Sequence, residues 1–151
     1  MNEFIIDHAP AGGLTEYGHH YLPGQFLPFY VPRCDMPQID QADYLRLIDD
    51  VREDLGSSVE FDVARVSNLH AHQRIDHNRA MHMKPDVKLK PVLVSSDGYV
   101  VDGNHRWWAH VHDGDEYINV IRINERFGTI VLWALGRPYV YRITPDTPIR
   151  N

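Results

Sequence analysis

The segment Lys90–His110, KPVLVSSDGYVVDGNHRWWAH, constrains the fold more than any other part of the chain. Pro91-Val92-Leu93-Val94 is a short apolar, β-branched run bounded by Pro, and reads as a strand. Ser96-Asp97-Gly98 is a tight-turn signal, and Tyr99-Val100-Val101 returns as the paired strand. The pattern then changes. From Gly103 to about Asp113 the residues suit a helix, ended near Gly114. A hairpin that runs straight into a helix commits this region to a sheet with a helix folded back onto it.

The junction Asp102-Gly103-Asn104-His105-Arg106 has a chemistry of its own. The first turn of a helix leaves backbone N–H groups without intrahelical partners, and the macrodipole adds positive potential there. A phosphate or carboxylate is the natural ligand of such a place. Gly103 lets the backbone turn sharply and lets a ligand approach. His105 can donate or accept a hydrogen bond, and Arg106 offers a bidentate fork suited to phosphate. Asp102 is suited to capping the helix, to binding a ribose hydroxyl or to holding a metal-bound water. The bland alternatives are an ordinary Asp-Gly turn and an Arg106 paired with Asp113 or another surface acid. Trp107, Trp108, Ala109 and Val111 read as residues that seat the helix, with room for one tryptophan to face a cleft.

Around this unit the chain alternates helix and strand. Residues 1–38 are rich in Pro and Gly and carry Tyr17, Tyr21, Phe26, Phe29 and Tyr30; they read as an irregular aromatic arm packed on the domain or on a partner. Residues 39–151 form the domain. Asp40 reads as an N-cap and Gly56 as the stop of an amphipathic helix with Tyr44, Leu45, Ile48, Val51 and Leu55 on its apolar stripe. Phe61 to Val66 reads as a strand, Ser67 to Arg74 as a connection, and Ile75 to Met83 as a short helix stopped by Lys84-Pro85. Tyr117 to Ile123 reads as a buried strand. Asn124 is placed to cap a last helix through Leu135, and Tyr139 to Ile143 suits a final strand. The sum is a compact α+β domain with a small mixed sheet and packed helices.

Composition narrows the function classes. The chain has 151 residues, enough for one domain with a real core. No apolar run approaches the roughly 20 residues of a membrane helix, and the N-terminus lacks the pattern of a signal peptide. The single cysteine, Cys34, excludes an intrachain disulfide and fits a cytoplasmic setting. Twenty-one acids oppose 15 bases, giving a net charge of −6, and that balance argues against coating of duplex DNA, which needs a basic face. Ten histidines invite a metal reading. However, His77 and His82 are five apart rather than four, His110 and His112 diverge on a helix, and no dedicated metal site is expected. No Walker-type loop and no Gly-x-Ser-x-Gly frame is present.

The run quoted at the outset resembles the ParB/sulfiredoxin superfamily, whose members carry an apolar strand, an Asp-Gly turn, a second strand and a Gly-x-(His/Arg)-Arg helix start. Val63-Ala64-Arg65-Val66-Ser67-Asn68-Leu69 with Gln73-Arg74 resembles the family's earlier strand and loop, so the likeness covers roughly residues 60–123. It implies a ParB/sulfiredoxin-like fold whose helix start holds nucleotide phosphates. By position, Gly103, Asn104, His105 and Arg106 become phosphate-binding residues, with Gln73 and Arg74 approaching from the facing loop. The departures also matter. Asn104 stands where sulfiredoxins carry a catalytic Cys. The loop His70-Ala71-His72-Gln73-Arg74-Ile75-Asp76 lacks the glutamate base of the family's free-serine kinases, leaving His72 or Asp76 as substitutes. Only 28 residues follow Ile123, too few for the DNA-binding and dimerisation modules of chromosome-partition ParB proteins.

Two functions follow as expectations. The first is an enzyme that binds a nucleoside di- or triphosphate with Mg²⁺ and catalyses phosphoryl transfer or phosphodiester hydrolysis, a ParB-like nuclease or a kinase. In it His105, His72 and Asp102 are the catalytic candidates, and a nucleotide or phosphorylated small molecule is favoured over nucleic acid. The second is a non-catalytic ParB-like interaction module, such as a bacteriophage-encoded regulator or virion component in the host cytoplasm. There, residues 1–38 would dock a protein partner or a second copy in a homo-oligomer.

Overall fold

The structure, a computed structural model, describes residues 14–16, 19–21, 37–71 and 80–141. Strands β1 (Leu14–Glu16) and β2 (His19–Tyr21) pair antiparallel, so part of the arm expected to be irregular is a short hairpin. The main sheet has four strands in the order β3 (Val59–Arg65), β6 (Tyr117–Ile123), β4 (Val92–Ser95), β5 (Val100–Asp102). β4 and β6 run parallel and the other neighbours antiparallel. Four α-helices accompany it among the described residues: α1 (Tyr44–Asp50), α2 (Pro85–Lys88), α3 (Asn104–His112) and α4 (Phe127–Ala134). The fold is therefore α+β with a small mixed sheet, as the sequence pattern predicts. No helix among the described residues is long and apolar enough to cross a membrane.

The sheet is covered on both faces. On one side α1 and α4 bring Tyr44, Leu47, Ile48, Val51, Phe127, Ile130 and Val131 against Leu93, Ile121 and Ile123. On the other, α3 packs Trp107 and Val111 against Val92, Val94, Ile118 and Val120. β4 lies between both layers and is buried along its whole length, which is why its sequence is continuously apolar rather than alternating. One corner of the first face stays open. Beyond Val59, whose carbonyl accepts from Arg52, the same side of the sheet carries Phe61, Val63 and Tyr117, which are 60%, 53% and 51% exposed.

Local chemistry explains where the elements depart from expectation. The helix after Asp40 starts as a 3₁₀ turn at Gln41–Asp43, continues as α1, loosens to π geometry at Val51–Leu55 and stops at Gly56, whose φ of +62° is left-handed. Leu47 is fully buried whereas Leu45 is 71% exposed, because 44, 47, 48 and 51 share one face and 45 is turned about 100° from 44. Pro85 opens a one-turn helix instead of merely stopping one, a position that suits its fixed φ. Of the helix expected over Ile75 to Met83, only Ala80 and Met81 are described as helical, and 75–79 lie outside the described residues. The final strand expected from Tyr139 reduces to one antiparallel bridge between Tyr141 and Gln38, and Arg142 and Ile143 lie outside the described residues.

The last helix also starts later than Asn124, after Arg126. Its cap comes from the β4–β5 turn: the Asp97 carboxylate accepts from the Phe127 N–H at 3.0 Å and from the Ser95 hydroxyl. Ser96 N–H donates to Glu125 O at 2.9 Å, which fixes the hairpin against the helix start. Replacing Asp97 by Ala should therefore cost about 1–2 kcal/mol, the loss expected of an N-cap, whereas Asn124→Ala should stay within about 0.5 kcal/mol. Urea denaturation of the two variants checks this; an equal effect of both would refute the long-range cap.

Candidate anion site at the strand-to-helix junction

β5 delivers the chain to Gly103, which has φ +100° and ψ +27° and is the N-cap of α3. Both the backbone sign and the space demand glycine here. A Cβ at this position would stand 2.8 Å from Val92 Cγ1, 2.9 Å from Arg106 Nη2 and 3.0 Å from Arg106 Nε. The first helical bond, Trp107 N–H to Gly103 O, is 2.9 Å long. Gly103, as the N-cap, gives the helix start no side-chain cap of its own.

The residues at this start are buried. Asn104, His105 and Arg106 are 4%, 6% and 9% exposed. Asn104 Nδ2 lies 3.4 Å from Val100 O. The Arg106 guanidinium lies against Gly103, donates from Nη2 to the Tyr44 hydroxyl at 3.1 Å, and stands 3.7 Å from Asp102 Oδ2. The Tyr44 hydroxyl in turn donates to Asp102 Oδ2. Burial, and next the Asp102 charge, push the Tyr44 phenol well above its ordinary pKa, so it remains a donor across the physiological range. The result is a directed chain, Arg106 to Tyr44 to Asp102, that joins α3, α1 and β5.

This geometry sorts the roles open to Asp102. Its carboxylate turns toward Tyr44 and Arg106, not toward the first-turn amides, so capping the helix is not its role. Asp113, the alternative partner considered for Arg106, is instead paired with Lys88, whose hydrogen bond lowers the Asp113 pKa. Trp107 seats the helix as expected, with Nε1 donating to Val66 O at 3.0 Å and its ring against Ala71. Trp108 lies beside it, ring centres 6.2 Å apart.

His72, Gln73, Arg74 and Asp76 lie outside the described residues. The chain does enter that loop beside β5: His70 N–H donates to Gly98 O, Val100 N–H donates to His70 O, and the His70 ring lies 5.5 Å from that of Tyr99. His110 sits at the far end of α3, donating to Asp115 at 2.8 Å and facing Lys88 O at 3.1 Å. Among the described residues no three His, Cys, Asp or Glu side chains converge to hold a metal ion. Tyr44 is the member that sequence reasoning assigned only to the core. It is 58 residues from Asp102, and nothing local in the sequence marks a phenol for that carboxylate.

Comparison with models of known protein families, with curated proteins and with solved structures finds no match to this chain. The fold and site are those of an α+β domain whose edge strand turns through a left-handed glycine into a helix, with a buried Arg–Tyr–Asp chain behind the turn.

Two consequences are measurable. Gly103→Ala should destabilise the fold by about 2–4 kcal/mol, since the left-handed backbone and the two close contacts each carry a cost; a loss below about 1 kcal/mol in denaturant titration would contradict this geometry. Tyr44→Phe should cost about 1–3 kcal/mol by stranding the Asp102 and Arg106 groups. Because the folded-state pKa of Tyr44 is raised, its contribution is present below about pH 10 and is lost as pH rises further. Tyr139, held protonated by burial and by Asp50, adds to the same alkaline loss. The Phe variant should thus show a shallower fall in stability above pH 10, read by denaturant titration across pH.

Proposed function

We propose that this chain is a phosphate-binding domain of the ParB/sulfiredoxin kind that takes a nucleotide, or a phosphorylated small molecule, at the start of α3. The observation that carries this reading is the nine-residue helix entered from β5 through the left-handed Gly103 at φ +100°. A sharp left-handed entry presents successive amides to one point, and the macrodipole favours an anion there. The hairpin–turn–helix order of β4, β5 and α3 supports the superfamily likeness. In this reading Arg106 lends charge from behind the turn, and His105 and His72 are the groups suited to proton transfer. Asp102 serves as a positioning group rather than as a base, because it accepts from the Tyr44 hydroxyl and faces the Arg106 guanidinium at 3.7 Å. The net charge of −6 favours a nucleotide, with Mg²⁺ carried on its phosphates, over long duplex DNA.

A second reading, a non-catalytic interaction module such as a phage-encoded regulator, is favoured by a different observation. Phe61, Val63 and Tyr117 leave an apolar corner of the sheet uncovered, of the kind that marks a contact surface.

Calorimetry with ATP, ADP and CTP, each with and without Mg²⁺, tests the first reading on the native chain and on Arg106→Ala. Saturable binding that weakens at least tenfold in the variant is expected. Absence of binding to all three would sink the phosphate reading and leave the interaction module. A turnover assay on any ligand bound then separates enzyme from sensor.

A further inference from the structure

The apolar corner of the sheet adjoins an open strand edge. Asn124 N–H donates to Ser58 O and Val66 N–H to Glu116 O, one at each end of the β3–β6 pairing. Bonded pairs alternate along an antiparallel ladder, and Val59 stands opposite Ile123. Glu60, Asp62 and Ala64 therefore turn their N–H and C=O groups toward β6, and Val59, Phe61, Val63 and Arg65 turn theirs away. Two bonds agree with this phase. Arg52 reaches Val59 O at 3.3 Å, and the Val63 N–H donates to the Asp62 carboxylate of its own strand at 2.7 Å. Among the described residues no strand pairs along this outer side of β3.

The two faces of the edge differ in chemistry. Phe61 and Val63 lie exposed on one, with Tyr117 of β6 on the same side. On the other, Glu60 and Asp62 share the guanidinium of Arg122, at 3.8 and 2.7 Å. Two carboxylates on one cation leave negative charge there. We propose that the outer edge of β3 receives an extended segment of a partner protein, added as a further strand, in which apolar residues alternate with basic ones. The apolar residues cover Phe61, Val63 and Tyr117, and the basic ones meet Glu60 and Asp62. The inference rests on the reading of this corner as a contact surface, names the partner's chemistry, and is independent of the phosphate reading.

A second copy of this chain fits less well. A two-fold pairing of β3 with itself about Glu60, Phe61 or Asp62 sets carboxylate opposite carboxylate, which is destabilising. A pairing about Val63 avoids this, but it sets Phe61 against an Arg65 already held by Glu116 and the Tyr117 ring. Charges on an edge strand commonly guard against self-pairing. The same carboxylates that repel a copy attract a basic strand, so one pair of residues sets both the exclusion and the preference.

The probe is a short, end-capped peptide alternating valine and lysine, added to the intact chain and followed by amide exchange in NMR. Without peptide, the Phe61 and Arg65 amides should exchange faster than those of Asp62 and Ala64. Saturation should slow the first pair by about tenfold or more and leave the second pair unchanged. Protection of Phe61 and Arg65 before peptide is added would mean that this chain or a second copy already occupies the edge, and would overturn the proposal. A glutamate–valine peptide should not bind; equal binding would refute the charge preference and the proposal with it. Phe61→Ser, an exposed substitution that leaves the core intact, should weaken binding by about tenfold. Two N-methylated peptides, blocked at the valines or at the lysines, present opposite blocked edges, so one alone should lose binding. If the parent peptide binds at Phe61 and Tyr117 and both methylated forms bind like it, strand addition is refuted while the corner remains a contact surface. If no peptide perturbs the corner, both readings fail.

Discussion

The two helical layers of this domain are joined round the open edge of the sheet by one chain of hydrogen bonds, from Arg106 on α3 to Tyr44 on α1 to Asp102 at the end of β5. Everything at the candidate site depends on it. β5 is the last strand of the sheet and is paired on one side only, with Asp102 opposite Leu93 of β4. The polar chain ties that end to both helices, with the guanidinium packed beside Gly103. Glycine is then the only residue that fits, because a Cβ would overlap both Arg106 and Val92. The left-handed turn and the buried arginine are thus two sides of one constraint.

That arrangement is costly for a fold of this size. A charged guanidinium and a carboxylate are taken largely out of water, where desolvation commonly equals or exceeds the attraction regained. An apolar triple of similar volume would hold the layers together as well. What the polar version adds is direction: Tyr44, kept protonated by burial, donates one way only, so the three groups have one satisfied arrangement. That single arrangement fixes the place where β5 ends and α3 begins.

The parts legible in the sequence were those governed by local pattern. β6 was readable within its observed bounds because Tyr117–Ile123 is a single apolar-rich run between turn residues, and Gly56 stopped its helix as a left-handed residue must. The parts that were not legible depend on contacts across the fold. Asp97 lies in a hairpin turn, yet it caps a helix 30 residues later, while the locally plausible Asn124 gives its N–H to Ser58 O. Leu45 and Leu47 are chemically equivalent, and only the phase of the helix, set at Tyr44 by its bond to Asp102, decides which one is buried. At the site, the pentapeptide from Asp102 to Arg106 was visible as an anion-binding pattern. The phenol that turns two of its five side chains inward was not, since its partner lies in a different element.

The far end of α3 explains why its start can be so sparsely supported. There His110 donates to Asp115 and faces the Lys88 carbonyl, while Lys88 pairs with both Asp113 and Asp115. Cations at a helix C-terminus are favourably placed against the macrodipole, and this cluster ties α3 to α2 and to the chain that leads into β6. In the middle, Trp107 is fixed by Val66 O and by the second core. The helix is therefore held at its end, along its face and through Arg106, and its first turn requires no side-chain cap to stay wound. The start of α3 is thus placed by contacts spread along the whole helix, and the left-handed turn at Gly103 follows from them as much as from the residues of the junction.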